Sequence, residues 1–254
     1  MNLTFRTVNF VVKGFMRLIC QIEAEQLAQI PKKGPLILVC NHVNFVEVPL
    51  MFTHLQPRPV TGFAKAESWD NPMIGWLFNT WEAIPIRRGE ADTEALRQGL
   101  RVLEEGKILT ITPEGTRTGN GCLQRGHPGV VLLALRSGAP LLPLVYYGHE
   151  NYEQNLKKLR RTEFHVNVGK SFRLTVPDGK VKNEARQEMA DEIMYQLSAL
   201  LPPEYRGVYA DLSLATEKYL EFPDGSESNL RHVPSDFRED KRNQKNTPEY
   251  SSPG

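Results

Sequence analysis

The sequence predicts an α/β fold: a mixed β-sheet covered by helices on both faces, with an amphipathic helical segment at the N-terminus. The stretches "GPLILVC" (34–40), "KILTI" (107–111) and "PLLPLVYY" (140–147) are short, unbroken apolar runs bounded by Gly or Pro, the pattern of strands buried on both faces. Apolar residues recur at helical spacing between these runs, and alternation of strand and helix calls for a layered sheet. Farther along, "FHVNV" (164–168) and "FRLTV" (172–176) alternate strictly around "GKS", as two strands paired with each other would.

The elements follow in chain order. Residues 1–33 read as a helical segment with Val8, Val11, Val12, Phe15, Leu18, Ile19 and Ile22 at helix-like spacing. Arg6, Lys13 and Arg17 interrupt it, so it lacks the about 20 predominantly apolar residues of a membrane span. It also lacks the apolar core and cleavage site of a secretory signal. It reads either as a core helix or as a helix lying in a membrane interface with its basic residues near the headgroups. A main domain over 34–222 opens with the first strand. A helix follows between 92 and 105, with Leu96, Leu100 and Leu103 in one stripe, Asp92 or Thr93 as the cap and Gly106 as the stop,. "GVVLLALRSG" (129–138) is an apolar helix closed by Gly138. Asn183 is placed to cap a helix carrying Met189, Ile193, Leu197 and Leu201, ended by Pro202 and Pro203,. From Pro223 the chain turns polar, so 223–254 is expected to be disordered,.

Bulk properties narrow the function. A formal net charge of +1 over 254 residues gives no global field for nucleic acid, so any anion site must be a local cluster. Cys20, Cys40 and Cys122 are odd in number and lack C-x-x-C spacing, which fits free thiols in a reducing compartment and argues against structural zinc or disulfides. The "GKS" at 169–171 would need glycine at 164 to end a phosphate-binding loop, and position 164 is Phe164,. "GNGCLQ" (119–124) carries Gln124 where a dinucleotide fingerprint needs glycine,. No H-E-x-x-H and no G-x-S-x-G occurs, so neither zinc hydrolysis nor a serine nucleophile has support.

Several stretches keep chemical potential. "NHVNFVE" sets His42 and Glu47 five residues apart; alone, this is either an acid–base pair or a core histidine beside a solvated acid. "TPEGTRTGNG" (112–121) follows a buried strand directly and joins a carboxylate, a glycine, a hydroxyl and a guanidinium. Gly115 permits a sharp turn, Thr116 and nearby N–H groups can donate to phosphate oxygens, and Arg117 suits the two-pronged bond to phosphate. The same loop also reads as an ordinary strand exit with a solvated Glu–Arg pair. Arg87 and Arg88 follow an alternating apolar stretch, and Lys65 sits in the small-residue setting "GFAKAESW"; taken singly, each reads as a solvated cation.

In this order, these stretches resemble the glycerolipid acyltransferase family. Its N-H-x-x-x-x-D motif is matched by "NHVNFVE", with Glu47 at the acidic position, and a K-x-E element by Lys65 to Glu67. Its arginine-ended second motif is matched by "AIPIRRG", its P-E-G-T-R by Pro113 to Arg117, and its proline-bracketed strand by "APLLPLVYYG". Ordered matches cover roughly 35–150, with weaker similarity to about 176.

The resemblance implies transfer of a fatty acyl group from a thioester to the free hydroxyl of a lysophospholipid, 1-acylglycerol-3-phosphate above all. His42 would be the general base and Glu47 the acid that orients it. Lys65 and Arg117 would bind phosphate, with Arg87 a third candidate, and Glu114 would order the loop or a glycerol hydroxyl. No cofactor is implied beyond acyl-CoA or acyl carrier protein as co-substrate. The implied partners are a lysophospholipid, the acyl donor and a membrane surface, and no nucleic acid. The N-terminal segment then reads as membrane-interfacial, placing a peripheral or monotopic protein on the cytoplasmic side. The alternatives are acylation of glycerol-3-phosphate or another lysolipid, and a non-catalytic lipid-binding relative. The family's aspartate is Glu47 here. Five residues on a straight helix separate side chains by about 140°, so the motif must begin in a turn.

Overall fold

Strands that are apolar on both faces need cover on both, and the arrangement of helices supplies it. The computed structural model describes residues 3–87, 92–176, 183–223, 225–234 and 237. In chain order the elements are α1 (Leu3–Ile19), β1 (Cys20–Glu23), β2 (Leu36–Cys40), α2 (Glu47–His54), β3 (Val60–Lys65), α3 (Pro72–Thr80), β4 (Ile84–Ile86) and α4 (Thr93–Glu104). They continue with β5 (Ile108–Ile111), α5 (Gly129–Ser137), β6 (Leu141–Tyr147), α6 (Tyr152–Lys157), β7 (Thr162–Val168), β8 (Arg173–Leu174), α7 (Asn183–Ser198) and β9 (Leu220–Glu221).

The main sheet has seven strands in the order β1-β7-β6-β2-β5-β3-β4. The five from β6 to β4 run parallel, β7 is antiparallel to β6, and β1 is parallel to β7. Successive side chains of a strand point to opposite faces. Thus Ile37 and Val39 of β2 join Leu109, Ala95, Val131 and Ile193 in a core beneath α4, α5 and α7. Leu36, Leu38 and Cys40 join Met16, Leu50, Phe78 and Trp81 in a second core beneath α1, α2 and α3. The mixed sheet with two helical layers is as the sequence predicts.

Local signals explain the helix ends. The Asp92 side chain accepts from Ala95 N at 2.9 Å and caps α4, and Gly106 follows it at φ 71°. Gly138 closes α5 at φ 62°, the left-handed stop that favours glycine. Asn183 is the first residue of α7; the cap expected of its side chain lies outside the described residues.

Three expectations need correction. The N-terminal segment is not helical throughout: Cys20–Glu23 leaves the helix and pairs with Thr162–His165 at the sheet edge. "FHVNV" and "FRLTV" do not pair with each other. The former becomes β7 between β1 and β6, while Arg173–Leu174 pairs with Leu220–Glu221, because the intervening Phe172 crosses to a bridge with Leu141. Finally, part of the polar tail is ordered. Asn229 is buried, and its N–H and side-chain amide both donate to Gln196 Oε1 of α7, at 3.0 and 2.8 Å. Residues 238–254 lie outside the described residues, and so does the disorder expected of them. Among the described residues no helix is long and apolar enough to cross a membrane.

Candidate active site

The parallel strands carry the site at their carboxyl ends, where open α/β sheets bind ligands. Moving across the sheet, β6 leads to His149, β2 to His42, β5 to Glu114–Arg117, β3 ends on Lys65 and β4 leads into Arg87. Residues scattered over more than a hundred positions thereby meet along one edge.

Asn41 sets the exit from β2. Its side chain donates to Tyr146 O and accepts from Tyr146 N, both at 2.8 Å, so an amide side chain extends the β2–β6 ladder where the backbone turns away. His42 to Val46 form the turn that the five-residue spacing demands, and Glu47 begins α2. The Glu47 carboxylate folds back over that turn. Its Oε1 lies 2.7 Å from His42 Nδ1 and accepts from Val43 N at 2.8 Å and Asn44 N at 3.1 Å. Oε2 lies 3.1 Å from His149 Nε2. An ionised carboxylate only accepts, so Nδ1 of His42 carries the proton in this contact, and in the neutral ring Nε2 has the lone pair. Burial by itself raises the Glu47 carboxyl, but donation from His149 and His42 outweighs it and holds the group down at about 2.

Glu114 is also buried. Its oxygens accept from His42 N at 2.9 Å and Gln124 N at 2.8 Å, so it ties the loop after β5 to the loop after β2. Burial pushes it up to about 7; the two backbone donors lower it and the Glu47 charge raises it further. Thr118 N to His42 O at 2.8 Å and Gly119 N to Val43 O at 2.9 Å complete the lacing. Gly115 sits at φ 67°, a left-handed conformation that favours glycine, and a Cβ there would lie a tight 3.2 Å from His127 Cδ2,.

A cavity of about 1080 Å³ opens beside these groups, just above the about 300–1,000 Å³ usual for small-molecule sites. Phe45, Met51, Phe63, Ile74, Leu100 and Leu133 supply apolar wall, Gly115 adds main chain, and its polar lining includes His42, Glu47, Lys65, Arg117 and His127 as well as Arg97 and Arg136. His42 is 13 % exposed and reachable, whereas Glu47 is 2 % exposed. Lys65 is exposed and 3.5 Å from Glu67. Thr116 and Arg87 are exposed and lie outside this wall; Arg87 N donates to Asp92 at 3.0 Å. Arg88 lies outside the described residues. Sequence reasoning gave no role to Asn41, although it opens the "NHVNFVE" stretch, and missed His127 and His149, neither of which stands at a telling spacing. Among the described residues no group of three or more His, Cys, Asp or Glu side chains is placed to hold a metal ion. Burial pushes the three thiols up, Cys20 to about 11, away from the thiolate that nucleophilic chemistry needs.

The protein is thus an α/β sheet with a histidine–carboxylate pair above its parallel strands, beside a mainly apolar cavity. Residues 21–147 match the Acyltransferase family, and the chain belongs to it. It is 29% identical over 130 residues to the 1-acyl-sn-glycerol-3-phosphate acyltransferase of Bacillus subtilis, covering 51% of this chain and 64% of that one. It is 34% identical over 113 residues to the lyso-ornithine lipid O-acyltransferase of Pseudomonas aeruginosa, covering 44% and 43%. The chain thus spans less than two-thirds of the length of these curated relatives. The crystal structure of the 1-acyl-sn-glycerophosphate acyltransferase PlsC from Thermotoga maritima shares the fold, with a TM-score of 0.54 at 21% identity over 74% of this chain and 76% of that one.

Proposed function

We propose that the protein is an O-acyltransferase moving a fatty acyl group from an acyl thioester to the free hydroxyl of a lysophospholipid, with 1-acylglycerol-3-phosphate the first acceptor and phosphatidic acid the product. The observation that carries this reading is the 2.7 Å contact of His42 Nδ1 with Glu47, in the wall of an apolar cavity with room for a long chain. His42 Nε2 takes the acceptor's proton as that oxygen attacks the thioester carbonyl. The carbon–sulfur bond then breaks, the proton passes to the leaving sulfur, and ester and free thiol result. Glu47 holds the tautomer and offsets the imidazolium charge as it forms. No covalent intermediate is needed, and the acyl donor, from CoA or carrier protein, is a co-substrate.

Lys65 and Arg117 in the cavity wall support a phosphate headgroup beside His42. Arg87 stands outside that wall, so replacing it is expected to cost less than replacing Arg117. Glu114 works through the His42 backbone and not by proton transfer. The lipid substrates favour action from a membrane surface, peripheral or monotopic, with α1 as the contact. The free thiols Cys20, Cys40 and Cys122 favour the cytoplasmic side. A second acceptor, a lyso-ornithine lipid, is favoured by the 34% identity to the Pseudomonas aeruginosa enzyme.

The test incubates purified protein with labelled acyl-CoA or acyl carrier protein and a panel of lysophosphatidate, glycerol-3-phosphate and lyso-ornithine lipid. His42→Ala is expected to lose about 10²–10⁴-fold in rate while keeping its circular dichroism. Wild-type transfer by that variant would remove the general-base assignment. Tight lipid binding with no transfer to any acceptor would instead favour the non-catalytic relative.

A further inference from the structure

We propose that His149 is a positioning residue for the His42–Glu47 pair, and that it is the partner that lets a glutamate serve at position 47. His149 is fully buried and is not in the cavity wall, so it acts through Glu47 and not on substrate. Its ring lies against Phe164, centroids 4.1 Å apart at 23°, and Tyr146 meets it edge-on at 6.5 Å. Its carbonyl accepts from Asn44 Nδ2 at 3.0 Å, joining the loop after β6 to the turn that holds the dyad. Nε2 faces Glu47 Oε2 at 3.1 Å, while Nδ1 has no hydrogen-bond partner among the described residues.

That asymmetry is informative. A buried polar nitrogen without a partner is costly, and an apolar side chain stacked on Phe164 would avoid the cost. The polar character of position 149 is used in one place, the Glu47 carboxylate. Oε1 of Glu47 has His42 and two main-chain donors, whereas Oε2 has His149 and a share of Asn44 N at 3.1 Å. Without His149, Oε2 of Glu47 keeps only its share of Asn44 N, so one end of the carboxylate is freed and the bond to His42 loses part of its direction. An aspartate would be shorter by about 1.5 Å and could not span from α2 to both rings.

The kinetic part of this proposal rests on acyl transfer at His42; the tautomer part does not. Nitrogen-15 imidazole spectra of the wild-type protein are expected to place the His149 proton on Nε2 and the His42 proton on Nδ1. His149→Leu should lower kcat by about 10–100-fold, by analogy with the loss when a partner that orients a metal-binding histidine is removed. KM should change less than about threefold, and His42 should become a mixture of tautomers. His149→Gln, which can still donate to Glu47, should restore most of both. With Glu47→Asp already present, His149→Leu should cost little more, because the two act as one unit.

A proton on His149 Nδ1 in the wild-type protein would overturn the proposal. So would Leu and Gln variants that match each other in kcat with the His42 tautomer unchanged. Should the Leu variant not fold, the wild-type spectrum and the Gln variant decide. If no acceptor is acylated, the reading of the reaction fails, and the tautomers of His42 in wild type and variants still decide this one.

Discussion

Both oxygens of Glu114 accept from main-chain N–H groups, one of them that of His42, and the consequence can be tested at this one residue. Glu114→Gln keeps the shape but turns an NH₂ toward an N–H donor. One bond is lost and a buried donor is left unpaired, at a cost of about 1–3 kcal/mol. Urea denaturation should register that loss most clearly near pH 4.5, the ordinary value from which folding raises Glu114, and the acyl-transfer rate should fall because the His42 loop is no longer tied to the loop after β5. Unchanged stability and rate would show that the tie is dispensable. At this scale the sequence is legible where chemistry is local. His42 and Glu47 lie five residues apart, and Pro113 to Arg117 are contiguous. His149 is 102 residues from Glu47, and a lone histidine carries no signal of such a contact.

At the scale of the element, α1 has one face that meets the core reading of its sequence and another on which the membrane-interfacial reading can be tested. One face belongs to the core: Met16 is buried, and Trp81 Nε1 donates to Asn9 Oδ1 at 2.9 Å. The other face leaves Phe10 81 % and Leu18 71 % exposed, with Leu3, Val11 and Phe15 beside them. The helix carries Arg6, Lys13 and Arg17 and no acidic residue. That face suits insertion among lipid headgroups. Removing the helix outright would strip Met16 and Asn9 from the core, so the informative variant is Phe10→Glu with Leu18→Glu. Each buried side chain of this kind contributes about 1.5–3 kcal/mol, so sedimentation with anionic liposomes should weaken at least about tenfold while circular dichroism is kept. Equal sedimentation would exclude this face as the membrane contact. Sequence periodicity finds α1 and α4 but runs past Ile19, because β1 is a strand only through its pairing with β7, a partner no local pattern names.

At the scale of the whole molecule, sheet order is what brings the motifs together. Neighbouring parallel strands end at one edge, so groups far apart in sequence become neighbours. That order cannot be read from any one run such as "PLLPLVYY", whose apolar character says that it is buried but not beside what. One result is two buried carboxylates whose surroundings drive them apart, Glu47 down to about 2 and Glu114 up to about 7, against an ordinary value of 4.5. Their contributions to stability therefore run in opposite senses with pH. Glu47, lowered by folding, stabilises above pH 4.5, and this is lost as pH falls through 2. Glu114, raised by folding, stabilises below pH 4.5, and this is lost as pH rises through 7. The difference in unfolding free energy between wild type and Glu114→Gln, followed by urea denaturation, should therefore decline steadily between pH 4.5 and 7. The corresponding difference for Glu47→Gln should instead shrink only on acidification from pH 4.5 toward 2. A flat Glu114 profile across the neutral range would mean that this carboxylate stays ionised beside Glu47, and that the loop lacing tolerates two negative charges at the base of the site.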